Sequence, residues 1–279
     1  LPLMKGATSQ RKIRGTAKSP FLAFLTRYQG VLWGALGVGL LLAIWEIAAV
    51  AVNLDIVLPR VGEVAVAFGT LWATKSFYLD TGRTLLRCLI GFCIAFGAGL
   101  VFGVLGGVVK PIRQILRPLI ALFRAAPTMA LTLLLMIWFY TDWTPVAVGF
   151  LMVFPVIYTT IADAIATAPR DLIEMAQVYR LSGWDRVRFI YLPHATPMVL
   201  SATHTAFGLN IKATVSAEVL AYTAHSIGLN MYNAKNDILW GASTLFAWLL
   251  VAVLVSLVFG WLIKGASYLI LRRYQHANL

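Results

Sequence analysis

Two groups of residues in this 279-residue chain have the types and spacing to do chemistry. The first lies in an otherwise apolar run, 198–221, which carries His204, Asn210, Lys212, Thr214, Ser216 and Glu218. Two charges and several hydroxyls or amides in such a run make a poor lipid-facing helix. They are tolerated where the helix faces protein or water, so this run reads as lining a path for a polar solute. Structural pairing of Lys212 and Glu218 with other helices is the competing reading. Six residues apart, the two fall on different faces and do not pair with each other. The second group is the polar passage Pro169–Pro197, with seven charged side chains: Arg170, Asp171, Glu174, Arg180, Asp185, Arg186 and Arg188. It reads as two short helices around a corner. Asp171 and Glu174 put negative charge near the first helix's N-terminus, and Ser182 with Asp185 forms a capping box opening the second. Leu172, Ile173, Ala176, Val178 and Tyr179 give an apolar stripe that calls for a partner protein. Pro193 and Pro197 are expected to close the passage.

Other chemistries lack their residues. No Gly-x-x-x-x-Gly-Lys-Ser/Thr run is present, so no P-loop nucleotide site is expected. The four histidines, His194, His204, His225 and His276, lack metal-ligand spacing, and no Gly-x-Ser-x-Gly elbow occurs. Cys88 and Cys93 stand five apart in one apolar run, on different sides of a helix, and read as small buried residues.

The elements that must position these groups are membrane helices. With 60% hydrophobic and 12% charged residues, the composition excludes an ordinary soluble domain. Apolar runs reach the roughly 20 residues needed to cross about 30 Å of hydrocarbon. The ~10-residue alternation of an outer-membrane barrel is missing. The fold class is therefore an all-α integral membrane protein with about six transmembrane helices.

In chain order, residues 1–29 form a basic tail (Lys5, Arg11, Lys12, Arg14, Lys18, Arg27) ending in an interfacial helix with Phe21, Phe24, Leu25 and Tyr28 as its apolar side. The rest, 30–279, is one transmembrane domain. No cleavable signal peptide is expected, because the polar tail is long and the first span exceeds an h-region. Span 1 is 31–52 and carries Glu46 near its far end. A connection at 53–83 holds a short helix over 64–72. Span 2, 84–109, repeats Gly99, Gly103 and Gly107 every four residues, a ridge where another helix comes close, with Gly91, Gly97 and Gly106 adding small surface. A basic loop with Lys110, Arg113 and Arg117 precedes span 3, 119–140, which Pro127 kinks. A tight turn at 141–144 leads to span 4, 145–164, containing Pro155. Span 5 is 198–221, and a short helix near Ile227-Gly228-Leu229 dips back toward the bundle. Span 6, 243–271, ends at Arg272-Arg273.

Six spans put both termini on one side. That side, with the 2–3 and 4–5 loops, collects sixteen of the 23 basic residues against five opposite, which assigns it to the cytoplasm by the positive-inside rule. The net charge of +12 is thereby explained without nucleic acid.

The passage also resembles a known pattern. Glu174-Met175-Ala176 followed by Ile190-x-Leu192-Pro193 resembles the cytoplasmic signature loop of binding-protein-dependent ABC importer permeases, Glu-Ala-Ala, three residues, Gly, nine residues, Ile-x-Leu-Pro. Met175 replaces an Ala, and Arg180 stands at the signature Gly. A non-Gly residue there disfavours φ > 0, so the corner is expected to move to Ser182-Gly183. Arg124-Ala125-Ala126-Pro127-Thr128 resembles the family's Arg-Pro-x-Pro-Pro stretch, and Leu58-Pro59 to Leu71 resembles the region after span 1 in nitrate/sulfonate/taurine-type permeases.

This resemblance implies a type I ABC importer permease fold with coupling helices in a loop at 169–193, between spans 4 and 5. Its ATPase-coupling residues would be Glu174, Met175, Ala176, Arg180, Leu181, Ser182, Gly183 and Trp184. The substrate path would take Pro127, Met129, Asn210, Lys212, Thr214, Ser216 and Glu218. It further implies ABC ATPase subunits that bind the ATP and Mg, a second permease copy or homologue, and an extracytoplasmic substrate-binding protein. No cofactor is expected in this chain itself. The location would be the bacterial cytoplasmic (inner) membrane, multi-pass, with both termini cytoplasmic. The alternative is an ion-coupled secondary transporter using intramembrane Lys212 and Glu218.

Overall fold

A computed structural model describes residues 20–237 and 241–277. All regular secondary structure among the described residues is helical, and the chain divides into two units, Leu1–Val52 and Asn53–Leu279. In the first unit, α1 runs unbroken over Pro20–Val52, crossing residue 29. The tail at 1–19, and the side chains proposed as an interfacial face at Phe21, Phe24, Leu25 and Tyr28, lie outside the described residues. Leu36, Leu40, Leu41 and Ile47 of α1 are exposed, as befits an apolar helix of membrane-crossing length.

The second unit begins with α2 (Val61–Leu71) and α3 (Lys75–Val108). α3 starts about nine residues earlier than its apolar run announces, because the polar side chains Asp80, Thr84 and Arg87 are buried against other helices. α4 (Lys110–Ala125) and α5 (Thr128–Trp138) follow, then α6 (Thr144–Ala166). Where a kinked single span is expected, α4 and α5 meet at 107°. Ala126 is extended (φ −70°, ψ 132°), as the residue before a proline prefers, and Pro127 caps α5 instead of continuing α4. α7 (Arg170–Val178) and α8 (Gly183–Arg186) form the predicted helix pair. A π-turn (Val187–Tyr191), α9 (Leu192–Ala221), α10 (Ile227–Asn236) and α11 (Gly241–Ala277) complete the unit.

α3 and α6 pack along a shared ridge. A Cβ placed on Gly99, Gly103 or Gly107 would lie 2.8, 2.8 and 2.7 Å from the Cβ of Ile157, Ile161 and Ile165 respectively. Each step of four on α3 meets a step of four on α6, so ridges interlock and the backbones approach closely. Gly91 and Gly106 are equally crowded, by the Val146 carbonyl and by the hydroxyl end of the Tyr158 ring, whereas Gly97 faces open space and takes no part. Both members of these pairs rise in number together, so α3 and α6 run parallel. The broken pair α4–α5 must therefore return the chain across the bundle as one crossing. Only four described helices pass as spans on length and composition alone, with the broken pair as a fifth. α9 is 30 residues long but more polar. It meets α3 through Cys88–Asn210 and Thr84–Glu218, antiparallel, and so supplies a further pass.

Candidate functional site

The helix pair is built as a rigid knob. At the end of α7 the Leu181 amide donates to the Ala176 carbonyl (2.9 Å) and the Arg180 amide to the Gln177 carbonyl (3.0 Å). These are the two bonds of a Schellman motif, and its C′ residue must be left-handed. That residue is Arg180, at φ 52°. The corner therefore stays where the signature places its Gly and does not move to Ser182-Gly183. Gly183 has no positive φ. The two bonds satisfy otherwise orphaned carbonyls and outweigh the roughly 1–2 kcal/mol that an L-residue pays in this region. Ser182 then caps α8: its Oγ accepts from the Asp185 amide (3.1 Å) and donates to the Asp185 carboxylate (2.6 Å). Arg186 Nε donates to the Leu181 carbonyl (3.1 Å), tying the second helix back to the corner.

Ala176 is fully buried, while Glu174, Met175, Val178, Tyr179 and Trp184 are exposed. The knob thus turns its large apolar side chains outward, Val178 at 80% and Trp184 at 70% exposure. Pro193 and Pro197 do not close the passage. From Gly183 the helix continues through the π-turn into α9, with both prolines inside it. The Leu192 amide bonds five residues back, to the Val187 carbonyl. This wider turn sits directly before Pro193, whose ring would clash in regular helix.

Along α9 the predicted path residues separate onto two faces. Lys212 and Ser216 are exposed and line a groove of about 500 Å³ with Met129 and Thr132 of α5 and Met152 of α6. Among the described residues Lys212 makes no ion pair. Pro127 lies just before α5, at the break that angles Met129 into this groove. Asn210, Thr214 and Glu218 are fully buried on the other face. Asn210 donates to the Cys88 carbonyl (2.8 Å), and its amide oxygen accepts from the Thr214 hydroxyl at 3.4 Å.

Glu218 accepts from Thr84 (2.9 Å), Arg87 (3.2 Å) and the Gly228 amide (3.3 Å). Arg87 also donates to Asp142 (2.6 Å) and to the carbonyls of Ala224 (2.9 Å) and His225 (3.2 Å). One guanidinium thus joins α3, α9, the α5–α6 turn and the segment before α10. Beside it, Asp80 accepts from Asn230 and contacts His225. Sequence reasoning missed this hub by counting Arg87 as one more basic group on a membrane face. Its signal was present: Asp80, Thr84 and Arg87 recur at i, i+4 and i+7, one face of α3.

Comparison with known proteins places this architecture. Residues 99–274 match the family described as binding-protein-dependent transport system inner membrane component. The chain is 29% identical over 227 residues to the riboflavin transport system permease protein RibX of Chloroflexus aurantiacus, covering 79% of this chain and 82% of that one. It is 32% identical to the putative aliphatic sulfonates transport permease protein SsuC of Escherichia coli, covering 70% and 74%. A nitrate import permease protein of Leptolyngbya laminosa is 30% identical over 58% of each chain. Among solved structures, the inward-facing MetNI methionine ABC transporter shares the fold, with a TM-score of 0.51 at 20% identity, covering 69% of this chain and 91% of that one. An all-helical membrane bundle with a capped helix pair between its fourth and fifth crossings, matched over most of its length, belongs to the binding-protein-dependent transport system inner membrane components: the chain is the permease subunit of an ABC importer.

Proposed function

We propose that the chain passes a small anion through the groove around Lys212 when cytoplasmic ATPases grip the α7–α8 knob. The observation that carries the reading is the knob itself. A solvated loop has no reason to hold Met175, Val178, Tyr179 and Trp184 outward on a doubly capped frame. Such a surface needs a partner, and no P-loop exists in this chain to supply the energy. Glu174, Arg180, Leu181, Ser182 and Gly183 set the shape that the ATPase reads, with Ala176 as the buried anchor.

A second permease copy would close the open side of the groove, and an external binding protein would deliver the solute to the end that carries α10. Placing α7 and both termini on the cytoplasmic side rests on the excess of basic residues there. The anion reading rests on Lys212, an exposed cation with no ion-pair partner among the described residues, in a groove otherwise made of methionine, threonine, serine and aliphatic side chains. Relatives named for nitrate and aliphatic sulfonates fit it.

The test is tracer uptake into proteoliposomes holding the permease, its ATPase and its binding protein. Uptake of anionic solutes should stop when the ATPase catalytic site is disabled. Continued uptake driven by an ion gradient would instead establish the carrier mechanism through Lys212 and Glu218.

A further inference from the structure

A second groove, of about 660 Å³, lies between α4 and the last turns of α6, and shares no lining residue with the Lys212 groove. Lys110, Arg113, Arg117 and Arg124 stand at i, i+3, i+7 and i+14 on α4, one helix face, and all four line it. Arg113 pairs with Asp163 across the groove, and Arg124 donates to Thr159 (3.3 Å). Lys110 and Arg117 have no counter-charge among the described residues. Four cations facing one carboxylate leave an excess of three positive charges.

The opposite wall supplies a donor in waiting. Tyr158 lines the groove, is only 4% exposed, and its hydroxyl is buried with no hydrogen-bond partner among the described residues. A buried hydroxyl left unpaired costs about 1–3 kcal/mol, so its retention calls for a partner that the described residues do not provide.

We infer that this groove is an oxyanion-binding site, in which Lys110 and Arg117 hold a phosphate-type group and Tyr158 donates to it. The chemistry is that of a phosphate diester or a free phosphate-like anion. Anionic phospholipid is one source, since basic pockets between membrane helices take lipid headgroups, and a soluble anion is the other. The site does not depend on the identity of the transported solute or on which end of the bundle faces the cytoplasm.

The experiment uses the full chain in nanodiscs, made either of phosphatidylcholine alone or with phosphatidylglycerol, and titrated with inorganic phosphate. The variants are the double substitution Lys110→Gln/Arg117→Gln, which leaves the Arg113–Asp163 pair in place, and Tyr158→Phe. If lipid is the source, native mass spectrometry finds phosphatidylglycerol retained by the wild type and held about tenfold more weakly by the double variant. If a soluble anion is the source, phosphate binds in phosphatidylcholine discs and weakens by the same factor. Tyr158→Phe should weaken either ligand several-fold without lowering the ligand-free thermal midpoint, whereas a purely structural hydroxyl would leave ligand binding unchanged. Neither ligand binding the wild type, or both binding the folded variants as well as the wild type, overturns the site.

Discussion

The Arg87 guanidinium of α3 meets the Glu218 carboxylate of α9 at 3.2 Å, with Glu218 fully buried and the Arg87 side chain 9% exposed. Neither charge stands alone: Thr84 and the Gly228 amide complete the carboxylate's partners, and Asp142 and two carbonyls those of the guanidinium. Removing one partner strands the other in a low-dielectric setting. Glu218→Ala should therefore destabilise the bundle by about 3–5 kcal/mol, read as a lowered unfolding midpoint in detergent. Replacing Arg87 by Met and Glu218 by Leu together should cost less than the two single changes added, which a double-mutant cycle measures.

Arg180→Gly should stabilise the knob. The φ of 52° strains an L-residue by about 1–2 kcal/mol, and glycine removes the strain at a smaller entropic cost. ATPase co-purification and uptake should be retained. Arg180→Val, with a β-branched side chain at the same φ, should open the corner and lower co-purification. Equal behaviour of the two variants would show that the turn does not govern docking.

The ridge between α3 and α6 predicts a sharp contrast among glycines. Gly103→Leu forces side-chain atoms into Ile161 and the Tyr158 carbonyl, so loss of folded protein is expected, partly restored by Ile161→Ala. Gly97→Ala, in open space on the same helix, should gain up to about 1 kcal/mol of helix stability. Size-exclusion profiles and thermal midpoints distinguish the two.

The two faces of α9 should fail in different ways. Lys212→Ala should reduce anion uptake with folding and ATPase docking intact, because the side chain lines the groove and makes no ion pair among the described residues. Asn210→Trp should prevent folding, since Asn210 is fully buried against Gly149 and Cys88. Ser216→Trp should block uptake in a folded protein. Normal uptake by Lys212→Ala and Ser216→Trp would remove this face from the path.

Much of the bundle was legible because long apolar runs and glycines every fourth residue are one-dimensional signals. The knob's position and its Ser182 cap were readable for the same reason. The division of α9 was legible only in that spacing puts Lys212 and Glu218 on different faces. Composition marks Asn210, Lys212, Thr214 and Glu218 alike as polar, and only the positions of α3 and α6 decide which of them have partners. The corner at Arg180 was misread because propensity argues against a left-handed arginine. Two backbone hydrogen bonds, formed only once α7 exists, overrule that preference. The right-angled break at Pro127 was underestimated because a proline announces a bend without stating its size.

From Gly183 to Ala221 the polypeptide makes 39 residues of helix without a break, through the π-turn and past Pro193 and Pro197. At 1.5 Å per residue that is a rod of roughly 58 Å. One of its tips carries Trp184 and the other is clamped by Arg87. A push of a few ångströms at the first tip has no slack loop in which to dissipate; it must either reseat the clamp or be absorbed where the coil is overwide, ahead of Pro193.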